Sequence, residues 1–378
     1  MQPYICGRFI DKYLVVCRTG GQGAVINEDR YLELLALSED DKAEAPEWLV
    51  LILSKISTKF INKVLISNLV LVRRPGTIGF AKASYEITEA CNFRCKHCYL
   101  GEKVKGQLIV EDKKRVLNMI ERAGCLWLQI TGGEPLMDRD FIEAYVYAQS
   151  LGLLIVLSTN GSLLLSPKIR QVLKKYPPWR LTVSLYGATD DSYEALTQVR
   201  GSGKMVFEGL HWAKKNGLRV RINIIGTKYN KDETGQMTEF VRGLGFNYHV
   251  FNKITPAIDG DRMPIEVATG ENCLANRCSE EKNFDAREVS CRAGKTFFHV
   301  NANGKTSVCK IARQSSIDLL AAGVNGLKEL SEVADRVLTM PSECETCVMK
   351  QKCTICAPML SLYKINGDVP ASVCRRRE

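Results

Sequence analysis

The stretch that decides the fold is ASYEITEACNFRCKHCYL, residues 83–100. It begins with the β-like run ASYEIT and leads directly into Cys91, Cys95 and Cys98, in the spacing C-x3-C-x2-C. Structural zinc sites normally close with a fourth ligand, and His97 would be strained between two of the cysteines. A [4Fe–4S] cubane has four irons, so three thiolates leave one iron open for a substrate or cofactor. The spacing therefore favours an iron–sulfur cluster over zinc.

The residues downstream alternate between strand and helix patterns. The predicted strands are 83–88, 126–131, 153–159, 180–185, 219–226 and 247–254, and the predicted helices are 110–124, 138–151, 166–175, 203–216 and 234–243. Six such units predict an α/β fold with a parallel sheet, either curled into a partial (β/α)6 TIM-like barrel or left open.

Short polar motifs follow the predicted strands. TGGEP (131–135) ends the second strand, STNG (158–161) the third and SLYG (184–187) the fourth. Each motif alone is weak, because a glycine pair after a strand is usually a turn. Catalytic residues of such folds lie at the carboxyl ends of the strands, so we expect these motifs to share one rim with the cysteines.

Length, composition and charge limit the class of protein. The 378 residues predict two or three domains. The N-terminus lacks signal-peptide features and no apolar run is long enough for a bilayer, so we expect a cytoplasmic protein without membrane contact. Fifteen cysteines in that reducing compartment indicate metal or redox chemistry. The net charge of +10 suits an acidic peptide, an anionic cofactor or nucleic acid, but no Arg-rich module supports a nucleic-acid partner.

The C-x3-C-x2-C and GGEP motifs together resemble the radical S-adenosylmethionine (radical SAM) superfamily, over residues 82–255. The resemblance implies that Cys91, Cys95 and Cys98 hold a [4Fe–4S] cluster whose fourth iron is chelated by SAM. One-electron cleavage of SAM then gives a 5′-deoxyadenosyl radical that abstracts a hydrogen atom from substrate. It also implies an external one-electron donor such as flavodoxin or ferredoxin.

The resemblance carries over a set of SAM contacts. They are His97, Gly132, Gly133, Glu134, Ser158, Asn160, Ser184 and Arg200. The glycines would admit the methionine part, with Glu134 near its amino group. Ser158 and Asn160 match ribose and carboxylate contacts, and Ser184 and Arg200 match further contacts. His97 takes the position beside the adenine. The resemblance identifies no general base, so the catalytic residues stay unknown.

Seven cysteines in the last quarter resemble a second module, the SPASM domain, which binds two auxiliary [4Fe–4S] clusters. A hairpin pattern with Gly304 lies between Cys291 and Cys309. By resemblance, the outer cluster takes Cys344, Cys347, Cys353 and Cys374, and the inner cluster takes Cys291, Cys309 and Cys356. Cys353 and Cys356 are separated by two residues, where the family usually has three. The inner set is one ligand short, so either Cys273 or Cys278 completes it or one iron stays open. We thus expect three [4Fe–4S] clusters.

The first 80 residues lie outside the predicted barrel. A β-ribbon at 9–28 followed by helical segments resembles the winged-helix, PqqD-like recognition domain of peptide maturases, in which a leader peptide adds a strand to the ribbon edge. The alternative is a plain packing extension. The predicted domains are therefore 1–78 (winged-helix-like), 79–258 (radical SAM partial barrel) and 259–378 (SPASM).

These resemblances imply a maturase of a ribosomally made precursor peptide with a leader, forming a thioether or carbon–carbon crosslink. Other readings stay open: an anaerobic sulfatase maturase, a small-molecule radical SAM oxidase, or a zinc or nucleic-acid binding protein. The sulfatase maturases have no such prefix and carry an aspartate where this chain has Lys310.

Overall fold

A computed structural model describes residues 1–20, 23–56, 64–103, 106–269, 291–348, 353, 355–369 and 374. In this part of the chain, no helix combines the length and apolar character needed to cross a membrane. Cys273 and Cys278, the two predicted alternatives for a fourth inner ligand, lie outside the described residues.

The N-terminal residues form a small sheet with three helices. Its elements are β1 (Tyr4–Phe9), β2 (Lys12–Cys17), β3 (Gly23–Ile26), α1 (Glu28–Leu37), α2 (Glu47–Ile56), α3 (Ile66–Leu69) and β4 (Val70–Val72). The strand order is β3-β2-β1-β4, antiparallel except where β4 runs parallel to β1. Strands β2 and β3 lie within the predicted ribbon, whereas β1 was not predicted. The assignment of this unit as a winged helix stays a prediction.

A parallel sheet with helical crossovers forms the centre of the chain. Its elements are β5 (Lys82–Thr88), α4 (Val110–Arg122), β6 (Trp127–Gly132), α5 (Phe141–Ser150), β7 (Leu154–Thr159), α6 (Pro167–Lys175), β8 (Arg180–Leu185), α7 (Asp190–Thr197), α8 (Ser202–Lys215), β9 (Val220–Ile225), α9 (Thr234–Gly243) and β10 (Asn247–Phe251). Strands β5 to β10 are neighbours in chain order and all parallel. The predicted α/β fold is confirmed to this extent; closure into a partial barrel stays a prediction.

The two faces of this sheet differ in chemistry, as strand alternation requires. On β5, Tyr85 and Ile87 belong to the large apolar core shared with the helices. Ser84 and Glu86 alternate with them and so point to the opposite face. The register aligns polar side chains on that face, with Ser84 beside Gln129.

The C-terminal residues extend the central sheet. Their elements are α10 (Met263–Glu266), β11 (Phe297–Val300), β12 (Lys305–Ser307), β13 (Ile317–Asp318), α11 (Leu319–Gly326), α12 (Leu330–Val337), α13 (Ser342–Glu345) and α14 (Ala357–Ile365). The predicted hairpin is confirmed: β11 and β12 are antiparallel, and Gly304 in its turn has φ +77°. Strand β11 also pairs in parallel with β5, so the sheet has nine strands within the described ranges, in the order β10-β9-β8-β7-β6-β5-β11-β12-β13.

The N-terminal sheet packs against the amino ends of the central strands. Ile5 and Val16 form a buried cluster with Leu126 and Leu154, which immediately precede β6 or begin β7. Buried Arg73 strengthens this junction by donating from Nη2 to the backbone oxygen of Glu121 at 2.8 Å. The N-terminal unit therefore covers the end of the sheet opposite residues 91–100, which carry the C-x3-C-x2-C cysteines.

Candidate active site

The three cysteines of the C-x3-C-x2-C motif lie on the loop that leaves β5, between that strand and Leu100. Cys91, Cys95 and Cys98 are all half-buried and free of disulfides. Phe93, fully buried in the core, anchors the loop, and its amide donates to Cys91 Sγ at 3.4 Å. We call residues 91–100 the cysteine loop.

Helix α7 supports the cysteine loop from the side. The amides of Arg94 and Lys96 donate to the carbonyls of Thr197 and Leu196, each at 3.0 Å. These acceptors are the last residues of α7, where carbonyls have no partner within the helix. The end of α7 is thus completed by the loop that carries the cysteines.

The thiols of the cysteine loop stand close enough to interact. Burial raises the pKa of Cys95 above its ordinary range, and the neighbouring Cys91 and Cys98 raise it further. In the described part of the chain, no three His, Cys, Asp or Glu side chains converge closely enough to hold one metal ion. The thiolates of a cubane each bind a different iron and surround the cluster, so three thiols spread along one half-buried loop fit a cluster.

Gly132 and Gly133 are needed for contact between protein backbones. Gly132 has φ +148°, and a Cβ atom there would lie 2.2 Å from the carbonyl oxygen of Thr88. A Cβ on Gly133 would lie 2.4 Å from the carbonyl oxygens of Glu89 and Ala90. The glycines therefore let the end of β6 press against the start of the cysteine loop. Their predicted contact with SAM stays a prediction.

Glu134 is fully buried and joins the ends of β6 and β7 through hydrogen bonds. Its Oε1 accepts hydrogen bonds from Thr159 Oγ1 at 2.7 Å and from the Leu136 amide at 3.1 Å. Its Oε2 accepts from the Asn160 amide at 2.6 Å. Burial raises the pKa of Glu134 to about 7, although these hydrogen bonds lower it in part. A contact with the SAM amino group, as predicted, is untested.

Asn160 connects β7 to the cysteine loop. Its Nδ2 donates to Asn92 Oδ1 at 2.9 Å and lies 4.0 Å from Cys91 Sγ, while its Oδ1 accepts from Ser162 Oγ at 2.7 Å. Ser158 lies two residues earlier, on β7, and its Oγ accepts from Gln129 Nε2 at 2.8 Å. Asn92, inside the cysteine motif, is a residue that the motif-based reading overlooked.

The remaining predicted SAM contacts differ in their surroundings. His97 packs edge-on against Tyr186 at 4.9 Å between ring centroids, and burial lowers its pKa to about 4. Its Nδ1 is buried without a hydrogen-bond partner among the described residues, which suits a site for a ligand. Ser184 is half-buried at the end of β8, and Arg200 is exposed just before α8.

The structure places three C-terminal cysteines in one neighbourhood. Burial raises the pKa of Cys309, and the nearby Cys356 and Cys291 raise it further. These are the three cysteines predicted to hold the inner cluster. The four predicted outer ligands are half-buried or exposed: Cys344, Cys347, Cys353 and Cys374. Assignment of either cluster stays a prediction.

Sequence reasoning did not predict the buried polar network on the polar face of β5, the face that carries Ser84 and Glu86. Its centre is Glu86, which has no exposed surface and whose Oε1 accepts from Tyr99 OH and from Arg313 Nη2, each at 2.7 Å. Burial by itself raises the pKa of Glu86, but the adjacent His299 and Arg313 outweigh it and lower the pKa to about 2. The only signal in the sequence was an acidic residue within a strand pattern.

Residues 85–241 match the family model of the radical SAM superfamily. The chain is 31% identical to AdoMet-dependent heme synthase of Methanosarcina barkeri, over 75% of this chain and 93% of that protein. In fold it is similar to Streptococcus suis SuiB, solved bound to S-adenosylmethionine and also to precursor peptide SuiA. The SAM-bound structure has a TM-score of 0.59 at 17% identity and covers 93% of this chain and 94% of SuiB. It is also similar to anSMEcpe with bound AdoMet and a Cp18Cys peptide, with a TM-score of 0.54 at 13% identity over 78% of this chain and 94% of that chain. At these identities the solved structures show likeness of fold alone.

Proposed function

Because the chain belongs to the radical SAM superfamily, we propose that it modifies a ribosomally made precursor peptide by hydrogen-atom abstraction. The product would be a thioether or a carbon–carbon crosslink: the radical would take one hydrogen atom, an auxiliary cluster would accept the second electron, and a proton would leave to solvent. Family membership implies SAM and one [4Fe–4S] cluster, and Cys91, Cys95 and Cys98 would hold that cluster. When bound, SAM and this cluster would together supply a 5′-deoxyadenosyl radical that removes a hydrogen atom from substrate.

The chain's own residues would hold that chemistry in place. Glu134 and Asn160 tie the ends of β6 and β7 to the cysteine loop through hydrogen bonds of 2.6–2.9 Å. Helix α7 fixes the loop from the other side. A rigid loop supports radical chemistry because the reacting hydrogen must be positioned and competing donors must be kept away. In the same proposal, Cys291, Cys309 and Cys356 hold an inner auxiliary cluster and the other four C-terminal motif cysteines hold an outer one.

The observation that carries the peptide proposal is the open edge of the N-terminal sheet. Strand β3 is the terminal strand in that sheet and pairs with β2 alone among the described residues. Val25 on β3 is 62% exposed, and α2 contacts the same strand. An extended peptide can add to such an edge through backbone hydrogen bonds and rest on the neighbouring helix. The likeness of fold to SuiB, which extends over 93% of this chain, supports the proposal.

A second candidate is the oxidation of a heme precursor. The relative that favours it is named a heme synthase and is matched over 93% of its length. That match covers 75% of this chain, so a quarter lies outside it. The two candidates differ in what the N-terminal sheet is for, because a small-molecule enzyme needs no open edge for a leader.

The test is binding of peptide at β3. The probe is the labelled N-terminal half of each short peptide encoded beside this chain, titrated into the full-length protein. We expect Val25→Asp to weaken binding by about tenfold or more, since a charge would enter the centre of the contact. Ile109→Asp is the matched control, because Ile109 is similarly exposed, at 53%, but lies before α4. Equal affinity of both variants and wild type would remove the β3 edge from the proposal.

A further inference from the structure

We propose that Glu86 is a positioning residue that holds the loop of Cys309 against the cysteine loop. It would thereby set how the inner auxiliary cluster lies relative to the SAM-binding cluster. This inference rests on the proposed function for the two clusters. The contact itself is a property of the described residues.

Glu86 joins two segments that are far apart in the chain. Tyr99, which donates to Glu86 Oε1, directly follows Cys98. Arg313, which donates to the same oxygen, lies just after Cys309. One carboxylate oxygen thus accepts a hydrogen bond from each cysteine segment, at 2.7 Å in both cases. Charge-assisted bonds of this kind are short and strong.

Arg313 carries the connection to Cys309 itself. Its Nε donates to the Lys310 carbonyl at 2.7 Å, so the guanidinium spans from Glu86 to the residue after Cys309. Lys310 also contacts the cysteine loop, because its Nζ stands 4.8 Å from the centroid of the Tyr99 ring. Lys310 therefore contacts Tyr99 directly, and Arg313 is linked to Tyr99 through Glu86.

The sheet alone does not fix this segment. Strand β11 is held by pairing with β5, which places His299 beside Ser84, with 2.8 Å between His299 Nδ1 and Ser84 Oγ. Cys309, however, follows β12, which pairs with β11 and β13. In the parts of both loops that the structure describes, no backbone hydrogen bond joins 308–313 to 95–100. Val308 and Ala312 anchor the segment in the apolar core, and the side chains around Glu86 add the polar link to the cysteine loop.

The buried position of the Glu86 carboxylate suits it to hold its hydrogen-bond partners in place. Glu86 and His299 are fully buried, and Arg313 keeps 16% of its side chain exposed. Glu86 Oε2 lies 3.6 Å from His299 Nε2. A buried carboxylate with an arginine partner is costly to leave unpaired, so Glu86 and Arg313 hold each other in place. Electron transfer between two clusters depends steeply on their separation, which this restraint would control.

Hydrogen–deuterium exchange of the reconstituted full-length chain tests the proposal. Glu86→Gln and Arg313→Gln should speed exchange of the amides at 308–313 by about tenfold or more, as expected for loss of a buried charged hydrogen bond. Glu121→Gln is the matched control, because Glu121 also binds an arginine, Arg73, at 3.1 Å but lies on α4. It should leave exchange at 308–313 unchanged.

The spectroscopic readout is the magnetic interaction between the reduced clusters, measured by electron paramagnetic resonance. We expect it to weaken or broaden into several values in Glu86→Gln. Unchanged exchange at 308–313 together with an unchanged spectrum would overturn the proposal. If Glu86→Gln does not fold, Tyr99→Phe removes a single hydroxyl and is judged by the same two results. Iron for only one cluster in the wild type would refute the auxiliary clusters, while the exchange result would still decide the role of Glu86.

Discussion

Glu86 and Glu134 are both buried carboxylates near the cysteine loop, yet their environments shift their pKa values in opposite directions. Among the described residues Glu134 accepts hydrogen bonds from neutral donors alone, and burial raises its pKa to about 7. Glu86 meets Arg313 and His299, and its pKa falls to about 2. Neutral hydrogen bonds offset part of the desolvation of a carboxylate, whereas an adjacent histidine and guanidinium together can outweigh it.

This difference predicts how stability depends on pH. The folded-state pKa of Glu134 is raised above its ordinary value of 4.5, so its stabilising contribution is complete below pH 4.5 and is lost as the pH rises through about 7. The loss is roughly 3 kcal/mol at most. Thermal unfolding of the reduced apoprotein should therefore show a shallower decline between pH 4.5 and 7 in Glu134→Gln than in wild type.

Glu86→Gln serves as the control for that measurement. In the wild type the folded-state pKa of Glu86 is depressed. The contribution of Glu86 to stability is therefore present above pH 4.5 and is lost as the pH falls toward about 2. Glu86 also raises the pKa of His299, so the comparison is made below pH 4.5: there the stability of Glu134→Gln should follow the wild type and that of Glu86→Gln should not. A wild-type decline in Glu134→Gln would show that Glu134 is ionised without penalty in the folded state.

Sequence reasoning identified Glu134 but not Glu86. Glu134 was singled out because it lies in a short motif after a strand. Glu86 was not, because one acid inside ASYEIT carries no local signal, and its partners Tyr99, His299 and Arg313 are brought to it only by the fold. A charge network assembled from distant segments cannot be inferred from spacing along the chain.

At the scale of elements, α7 is the helix between β5 and β10 that sequence reasoning missed among the described residues. It is only eight residues long and is capped by Thr189, whose Oγ1 accepts from the Ser192 amide at 3.3 Å. Glu233, beyond β9, strengthens this start by accepting from the Ala188 amide at 2.7 Å and from Ser192 Oγ at 2.6 Å. Helix α7 therefore depends on a distant carboxylate at its start and on the cysteine loop at its end.

We expect Glu233→Ala to loosen the cysteine loop without touching it. Loss of these hydrogen bonds should cost about 1–2 kcal/mol of local stability, because the carboxylate is partly exposed. Amides of Arg94 and Lys96 donate to α7, so their deuterium exchange should rise. Asp232→Ala, an exposed neighbour, is the control. Wild-type exchange at Arg94 and Lys96 in Glu233→Ala would show that the loop is held independently of α7.

The longer elements were predicted well, because each has a clear apolar period. The strand 180–185 and the helix 234–243 agree with β8 and α9 at both ends. The pairing of β11 with β5 was not predicted, since nothing near either strand indicates a partner some 200 residues away. Parallel pairing at a sheet edge is a tertiary property.

At the scale of the whole molecule, the N-terminal unit and the cysteine loop lie at opposite ends of the central sheet. Ile5 and Val16 bury Leu126 and Leu154 at the amino ends, while the cysteines follow the carboxyl end of β5. Removing residues 1–75 would expose this apolar cluster and free the partners of Arg73. Substitutions such as Val25→Asp are therefore cleaner tests of recognition than truncation.

The measurement that tests the central claim most directly is mass spectrometry of a peptide treated with the reconstituted enzyme. The mixture contains SAM, a one-electron reductant and each short peptide encoded beside this chain. We predict a peptide lighter by two hydrogen atoms, together with 5′-deoxyadenosine, and neither product from the variant with Cys91, Cys95 and Cys98 replaced by alanine. Unmodified peptides, with a heme precursor consumed when it replaces the peptide in the same mixture, would contradict the peptide assignment and favour the second candidate.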